Sequence, residues 1–261
     1  MLIEARVHSV PVDLADLNSV FKAVDAISSI TSSIDIIFAN AAVGKAPSPL
    51  SKDGVETVFA TNHLGHYALI TRLLPRLMET STKPDSDVRI VITSSSLAWR
   101  TQGIDFSTLT SPFDKERYRR IDMYTRSKLA NLLFGLKLAQ HVRERGYPQV
   151  LVNIADPGII FATGLIKQLE YTFSWFVKIV VVLLEWTVGF TIAEGALTPL
   201  FLGTSEGIRE GSVTGQFYRP FGDLIPREKY PKEATDDLME KLWEWSEDFV
   251  SKRENGLRSK L

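Results

Sequence analysis

Three short apolar runs constrain this chain more than any other feature. Residues 35–39 (Asp-Ile-Ile-Phe-Ala), 89–93 (Arg-Ile-Val-Ile-Thr) and 150–155 (Val-Leu-Val-Asn-Ile-Ala) lack the strict alternation that marks a strand with one wet face. Such runs fit strands buried on both faces, as in a sheet covered by helices. Between them, 53–77 and 123–142 fit helices and are long enough for crossovers, so the strands are expected to run parallel with right-handed connections. Residues 7–12 read as a further short strand, followed by Leu17, Val20, Phe21, Val24 and Ile27 at helical spacing. The expected fold is a doubly wound, mostly parallel α/β sheet. In such sheets ligands bind outside the carboxyl ends of the strands, the edge at which Asn40, Ser95, Pro157 and Gly158 should emerge together.

At 261 residues the chain can bury one sizeable core, and one domain over 1–261 is expected. Its parts are a cofactor and catalytic region (1–160), a substrate-lid region with the last strand (161–230) and an amphipathic C-terminal helix (231–261) that frays at 252–256. Thirty basic against thirty-one acidic residues give no overall electrostatic reason to expect nucleic acid as a partner. The absence of cysteine excludes disulfides and thiolate chemistry and suits a reducing, cytoplasmic setting. His63 and His66 could share a helical face, but no carboxylate motif accompanies them, so no metal site is expected.

Chemistry concentrates in Tyr124-Thr-Arg-Ser-Lys128, downstream of the hydroxyl-rich strand end Thr93-Ser-Ser-Ser96. On a helix Tyr124 and Lys128 share a face, which puts an ammonium beside a phenol whose ordinary pKa is about 10 and favours the phenolate. Alone, this spacing more commonly marks an exposed amphipathic face. A serine at the strand end could hold a substrate oxygen. Ser94, Ser95 and Ser96 are the candidates, and Ser94 and Ser96 would point away from the face that Ser95 uses if the strand extended that far. The long segment from Ala98 to Arg120 should form a loop and short helix beside the site.

Taken in order, Asp35-Ile-Ile-Phe-Ala-Asn-Ala-Ala-Val-Gly44, the serine run, the Tyr/Lys pair and Asp156-Pro-Gly158 resemble the short-chain dehydrogenase/reductase family. Ser127-Lys-Leu-Ala-Asn131 is similar to the retinol-dehydrogenase-like members. The resemblance implies a Rossmann-type fold and hydride transfer between a nicotinamide cofactor and an alcohol or carbonyl. It implies Tyr124 as proton donor or acceptor and Lys128 as the cation that tunes it and holds the nicotinamide ribose. Ser95 would orient the substrate oxygen, and Asn62 would complete a proton relay through a local helix distortion. Cofactor contacts are implied at Asp13, Leu14, Asn40, Ala41, Ala42, Tyr124, Lys128, Pro157, Gly158, Ile160 and Thr163, with Ala42 in a usual glycine place and Thr163 one residue late. The retinol-dehydrogenase likeness tilts the cofactor towards NADP rather than NAD.

The family's Thr-Gly-x-x-x-Gly-x-Gly turn is not in this sequence, and residues 1–14 resemble the family's third strand and its Asp-Leu adenine contact. The expected sheet therefore lacks the first strand–helix–strand unit. A truncated, impaired member acting as an interaction protein, or a partial product, is the alternative function. Residues 171–193 form an apolar stretch broken by Lys178 and Glu185. A substrate lid over a lipophilic small molecule or a homo-oligomer interface ranks first there, peripheral membrane contact second and a membrane span third.

Overall fold

The structure, a computed structural model, describes residues 5–111, 120–160 and 190–259. Five strands form one sheet in the order β1 (Ile36–Ala39), β2 (Val88–Thr93), β3 (Val150–Ala155), β4 (Phe217–Arg219) and β5 (Asp223–Ile225). The first four are parallel, with Phe38 opposite Val91, Ile90 opposite Val152 and Ile154 opposite Phe217. β5 folds back antiparallel on β4. The expected parallel core is present, and β2 and β3 are buried at every residue.

Two early expectations fail for one reason. Residues 7–12 form no strand, and Val7 is 88% exposed. A strand needs a neighbour for its backbone groups, and no strand among the described residues lies beside them. β1 consequently stands at the sheet edge, and Ile36 and Phe38 are 38% and 41% exposed rather than buried on both faces.

One layer of helices covers the sheet with α1 (Leu17–Ile30), α2 (Thr57–Phe59), a π turn (Ala60–Leu64), α3 (Gly65–Ser81) and α4 (Arg120–Glu144). Asp16 caps α1 through the amides of Asn18 and Ser19, and Glu56 caps α2 through those of Val58 and Phe59. The opposite face carries α5 (Ile192–Thr204), opened by a Thr191/Glu194 capping box, and short α6 (Glu206–Glu210) follows it. Helix α7 (Asp236–Arg258) returns to the first layer, packing on α4, α1 and α3.

Helix α7 runs through 252–256 instead of fraying there. Arg253 pairs with buried Asp53, Arg72 of α3 reaches Glu247 and Glu254, and Lys252 pairs with Asp248. The apolar side of α7 completes an aromatic cluster in which Trp243 meets Tyr67 and Phe134 while Trp245 meets Phe59. Helix α4 lies very close to the sheet at Gly135, where a Cβ would fall 2.4 Å from Ile154 Cγ1. The loop after β2 makes two 3₁₀ turns, Ser96–Arg100 and Phe106–Thr108, while 112–119 lie outside the described residues. So do 161–189, and with them Thr163 and nearly all of the apolar stretch. Among the described residues no helix is long and apolar enough to cross a membrane, and no group of three metal-ligating side chains occurs.

Candidate active site

Tyr124 and Lys128 lie on the first turns of α4, where the lysine ammonium sits 5.5 Å from the centre of the phenol ring. Lys128 is 2% exposed, and its Nζ donates to the carbonyl of Thr93, the last residue of β2 (3.2 Å). Asn131, one turn further along α4, donates Nδ2 to the same carbonyl (3.0 Å). The strand end and the Tyr/Lys helix are thus joined at one oxygen. Ser94 adds a second link, donating Oγ to the Lys128 carbonyl (2.7 Å).

Asn62 lies inside the π turn, and a single widened turn of this kind is often found at functional sites. Its side chain is fully buried and fully bonded. Oδ1 accepts from Val43 N (2.7 Å), while Nδ2 donates to Val43 O (2.9 Å) and Ser127 Oγ (3.0 Å). Ser127 Oγ in turn donates to Tyr124 O (2.8 Å), so the loop after β1, the π turn and the Tyr/Lys helix form one network.

The loop after β1 places Asn40, Ala41 and Ala42 in the open. Asn40 Oδ1 accepts from Thr93 Oγ1 (2.9 Å), and the Ala41 carbonyl accepts from His66 Nε2 (2.8 Å). Small exposed residues at a strand end leave room for a ligand to approach the backbone. Asp13 and Leu14 stand before α1, where Asp13 Oδ1 accepts from Ala15 N and Leu14 packs against the core margin.

The three serines separate differently from the strand alternation expected of them, because β2 stops at Thr93. Ser94 turns to α4, Ser96 donates its amide (2.7 Å) and hydroxyl to Asp156 Oδ2, and Ser95 caps the 3₁₀ turn by accepting from Leu97 N (3.2 Å). Asp156 is 3% exposed, and its Oδ1 takes the Gly158 amide (2.8 Å). Gly158 has φ +77°, and a Cβ there would lie 2.6 Å from Phe190, so glycine is required on both counts. Ile160 bridges to Phe190 and packs on Gly195.

Burial sets the electrostatics. It pushes the Lys128 ammonium down to about 8 against a partial rise from Asp156. The Tyr124 phenol is pushed up to about 12, first by burial and then by the Asp156 carboxylate. In the chain alone, burial outweighs the expected pull of the lysine on the phenol. Thr93, Ser127, Asn131 and Asp156 escaped the sequence reading as site residues. Asn131 and Ser127 stood in the quoted Ser-Lys-Leu-Ala-Asn motif, and Asp156 in Asp-Pro-Gly.

NAD(P) fits this donor set at its nicotinamide end. Among the described residues Lys128 Nζ has one acceptor for three N–H groups, which suits ribose hydroxyls, and Asn40 with Ala41 offers an open strand end. For the pyrophosphate end the sequence contains no glycine-rich turn.

The family model for short chain dehydrogenase matches residues 2–172. Human retinol dehydrogenase 14 is 34% identical over 238 residues, which are 91% of this chain and 65% of that protein, so the chain spans a little under two thirds of this relative's length. Chloroplastic TIC 32 A of Brassica napus is 29% identical over 94% of this chain and 73% of its own. Among solved structures, a putative uncharacterized protein from Mycobacterium paratuberculosis superposes with TM-score 0.64 at 27% identity, covering 92% of this chain and 74% of that one. A Brucella melitensis 3-ketoacyl-(acyl-carrier-protein) reductase complexed with NADH shares the fold at TM-score 0.55 and 19% identity, over 80% and 75% of the two chains. With the matched model and the buried Tyr/Lys/Asn network, the chain belongs to the short-chain dehydrogenase/reductase family, and retinol dehydrogenase 14 is among the relatives it is similar to.

Proposed function

We propose that this protein interconverts an alcohol and a carbonyl on a lipophilic small molecule with NAD(P), NADP being preferred. The observation that supports this reading most is the continuous buried network from Asn62 through Ser127 to the Tyr124/Lys128 helix. The cofactor when bound supplies the hydride. Tyr124 Oη gives its proton to the substrate oxygen in reduction and takes it back in oxidation. Lys128 holds the nicotinamide ribose with the N–H groups that Thr93 leaves over, and as a cation it stabilises the phenolate that reduction leaves behind. Ser95 orients the substrate oxygen, since Ser94 and Ser96 donate their hydroxyl protons to Lys128 O and Asp156 whereas Ser95 Oγ is engaged as an acceptor and keeps its proton to give. Asn62, clamped on Val43, carries the relay from the lysine towards solvent.

Cofactor contacts at Asp13, Leu14, Asn40, Ala41, Ala42, Pro157, Gly158, Ile160 and Thr163 belong to the same reading. NADP as first choice is supported by the retinol-dehydrogenase likeness, and two fold neighbours, Pseudomonas aeruginosa RhlG and a chicken carbonyl reductase, are described with NADP and NADPH. The lipophilic substrate is supported by the apolar 171–193 stretch. Titration of the folded chain with NADPH and NADH, followed by thermal shift, is the direct test, because a ligand that binds only the folded state raises its stability. Tyr124→Phe should abolish turnover and leave cofactor binding intact. Unchanged turnover would sink the assignment, and absence of binding to either cofactor would favour the interaction-protein alternative.

A further inference from the structure

Asp156, the residue after β3, is a buried carboxylate that no ion pair reaches among the described residues. A charge taken out of water without a counter-ion is costly to keep, and hydrogen bonds hold this one. Oδ1 accepts from Gly158 N (2.8 Å), while Oδ2 accepts from both the amide (2.7 Å) and the hydroxyl of Ser96. The first bond is a local turn of the kind aspartate commonly makes. The bonds to Ser96 are not local, since they cross to the loop after β2, 60 residues away in the chain. The backbone that carries the carboxylate is fixed from both sides: Ser94 N donates to Ala155 O (2.8 Å) and Asp156 N to Tyr218 O (2.8 Å).

The two loops carry different halves of the reaction proposed above. Ser96 directly follows Ser95, which orients the substrate oxygen, and Gly158 stands between Pro157 and Ile160 on the nicotinamide side. We infer that Asp156 is a positioning residue that ties these loops into one unit, so that a single carboxylate sets the substrate oxygen and the nicotinamide relative to each other. It acts through its neighbours rather than on the reacting atoms. Burial acts first on the Tyr124 phenol and the Lys128 ammonium, and the Asp156 charge next, raising both, so its field reaches the reacting pair. Asparagine cannot replace it. One amide oxygen can serve Ser96 N or Gly158 N, and the amide NH2 then opposes the N–H left over. What the loops hold rests on the oxidoreductase reading, whereas the tie itself rests on the hydrogen bonds.

The test compares Ser96→Ala and Asp156→Asn with Asn153→Ala. Asn153 is a buried residue of the same strand whose side chain bonds Val213 O and Gln216 N, where β4 begins, at the sheet edge remote from the site. In the chain without cofactor, Ser96→Ala should speed amide hydrogen exchange at Gly158, read by NMR, about five-fold, although the substitution lies in the other loop. Ser96→Ala should lower kcat and weaken binding of whichever of NADPH and NADH the wild type takes, each about five-fold, and Asp156→Asn should do so about ten-fold. Asn153→Ala should lower the melting temperature at least as much as Ser96→Ala and leave Gly158 exchange, kcat and cofactor affinity where they were. The tie is overturned if Ser96→Ala leaves exchange at Gly158 unchanged, if kcat or cofactor affinity moves without the other, or if Asn153→Ala reproduces both losses. A fall in kcat alone would make Ser96 the substrate serine instead. If Asp156→Asn fails to fold, Ser96→Ala, which removes one hydroxyl, carries the test. Should the wild type bind neither cofactor and turn over no substrate, the oxidoreductase reading fails by itself and exchange at Gly158 still decides the tie.

Discussion

Asn62, Ser127, Lys128 and Asn131 are each 2% exposed or less, whereas at the opposite side of the sheet Phe38 is 41% and Val7 88% exposed. On the first side, side chains are held by bonds whose loss inside a dry core costs roughly 1–3 kcal/mol each. On the second, Asp13 and Ala15 are arranged by a local turn, and Asn40 answers to a single threonine. The chemical half of the site is over-determined by its own neighbours. The half expected to meet the adenine end takes its shape from short-range contacts, so whatever lies against it has more say in its geometry.

Acid should separate the halves most sharply. Burial holds His63 at about 3 and His66 at about 4, against an ordinary value of 6.5. Below pH 6.5 the unfolded chain takes up these protons while the folded chain resists them, so stability falls as pH drops from 6.5 towards 4. At about 1.4 kcal/mol per pKa unit the two rings together amount to several kcal/mol. Melting temperatures between pH 7 and pH 4 should decline steeply, and His66→Gln should flatten the curve. A flat wild-type curve would deny the tight packing of this half.

Gly135→Ala comes next. The helix gains about 1 kcal/mol from alanine, but overpacking against Ile154 costs about 1–3 kcal/mol, and turnover should fall further than stability because α4 carries Tyr124 and Lys128. Urea denaturation with kinetics on the same preparation reads both. Asp156→Asn removes a carboxylate that raises both Tyr124 and Lys128. In carbonyl reduction the phenol must be protonated, so the alkaline fall of kcat/KM should move to lower pH in the variant. Smallest of all, Val7→Ser should change stability by no more than about 0.5 kcal/mol, as for other exposed positions. A larger loss would mean that the exposed half is better anchored than its contacts imply.

The buried runs at 89–93 and 150–155 and the helices between them were legible because burial on both faces writes itself into composition. Residues 35–39 have the same composition, yet β1 lies at the edge, since periodicity says nothing about which neighbour a strand will have. That Tyr124, Lys128 and Asn62 would lie together was legible from the family resemblance, and the π turn at 60–64 matches the distortion expected around Asn62. The Ser246–His63 contact was not, because a serine among the charges and tryptophans of an amphipathic tail carries no local signal. It arises only when α7 packs across the π turn, 183 residues away from His63 in the chain. The same holds for α7 itself, where charges that read as a fraying end are its ties to Asp53 and Arg72.

The missing side chain at Gly135 has a consequence for reach. Two turns upstream on the same helix, Lys128 spans the gap from α4 to the Thr93 carbonyl with an unbranched four-carbon stem. The distance it must cover is set by how low the helix rides, and Gly135 lets it ride low. The glycine therefore works as a spacer of zero thickness that calibrates the length of the lysine arm. A thicker spacer would leave lysine short, and the planar head of arginine would not restore the point charge beneath the phenol.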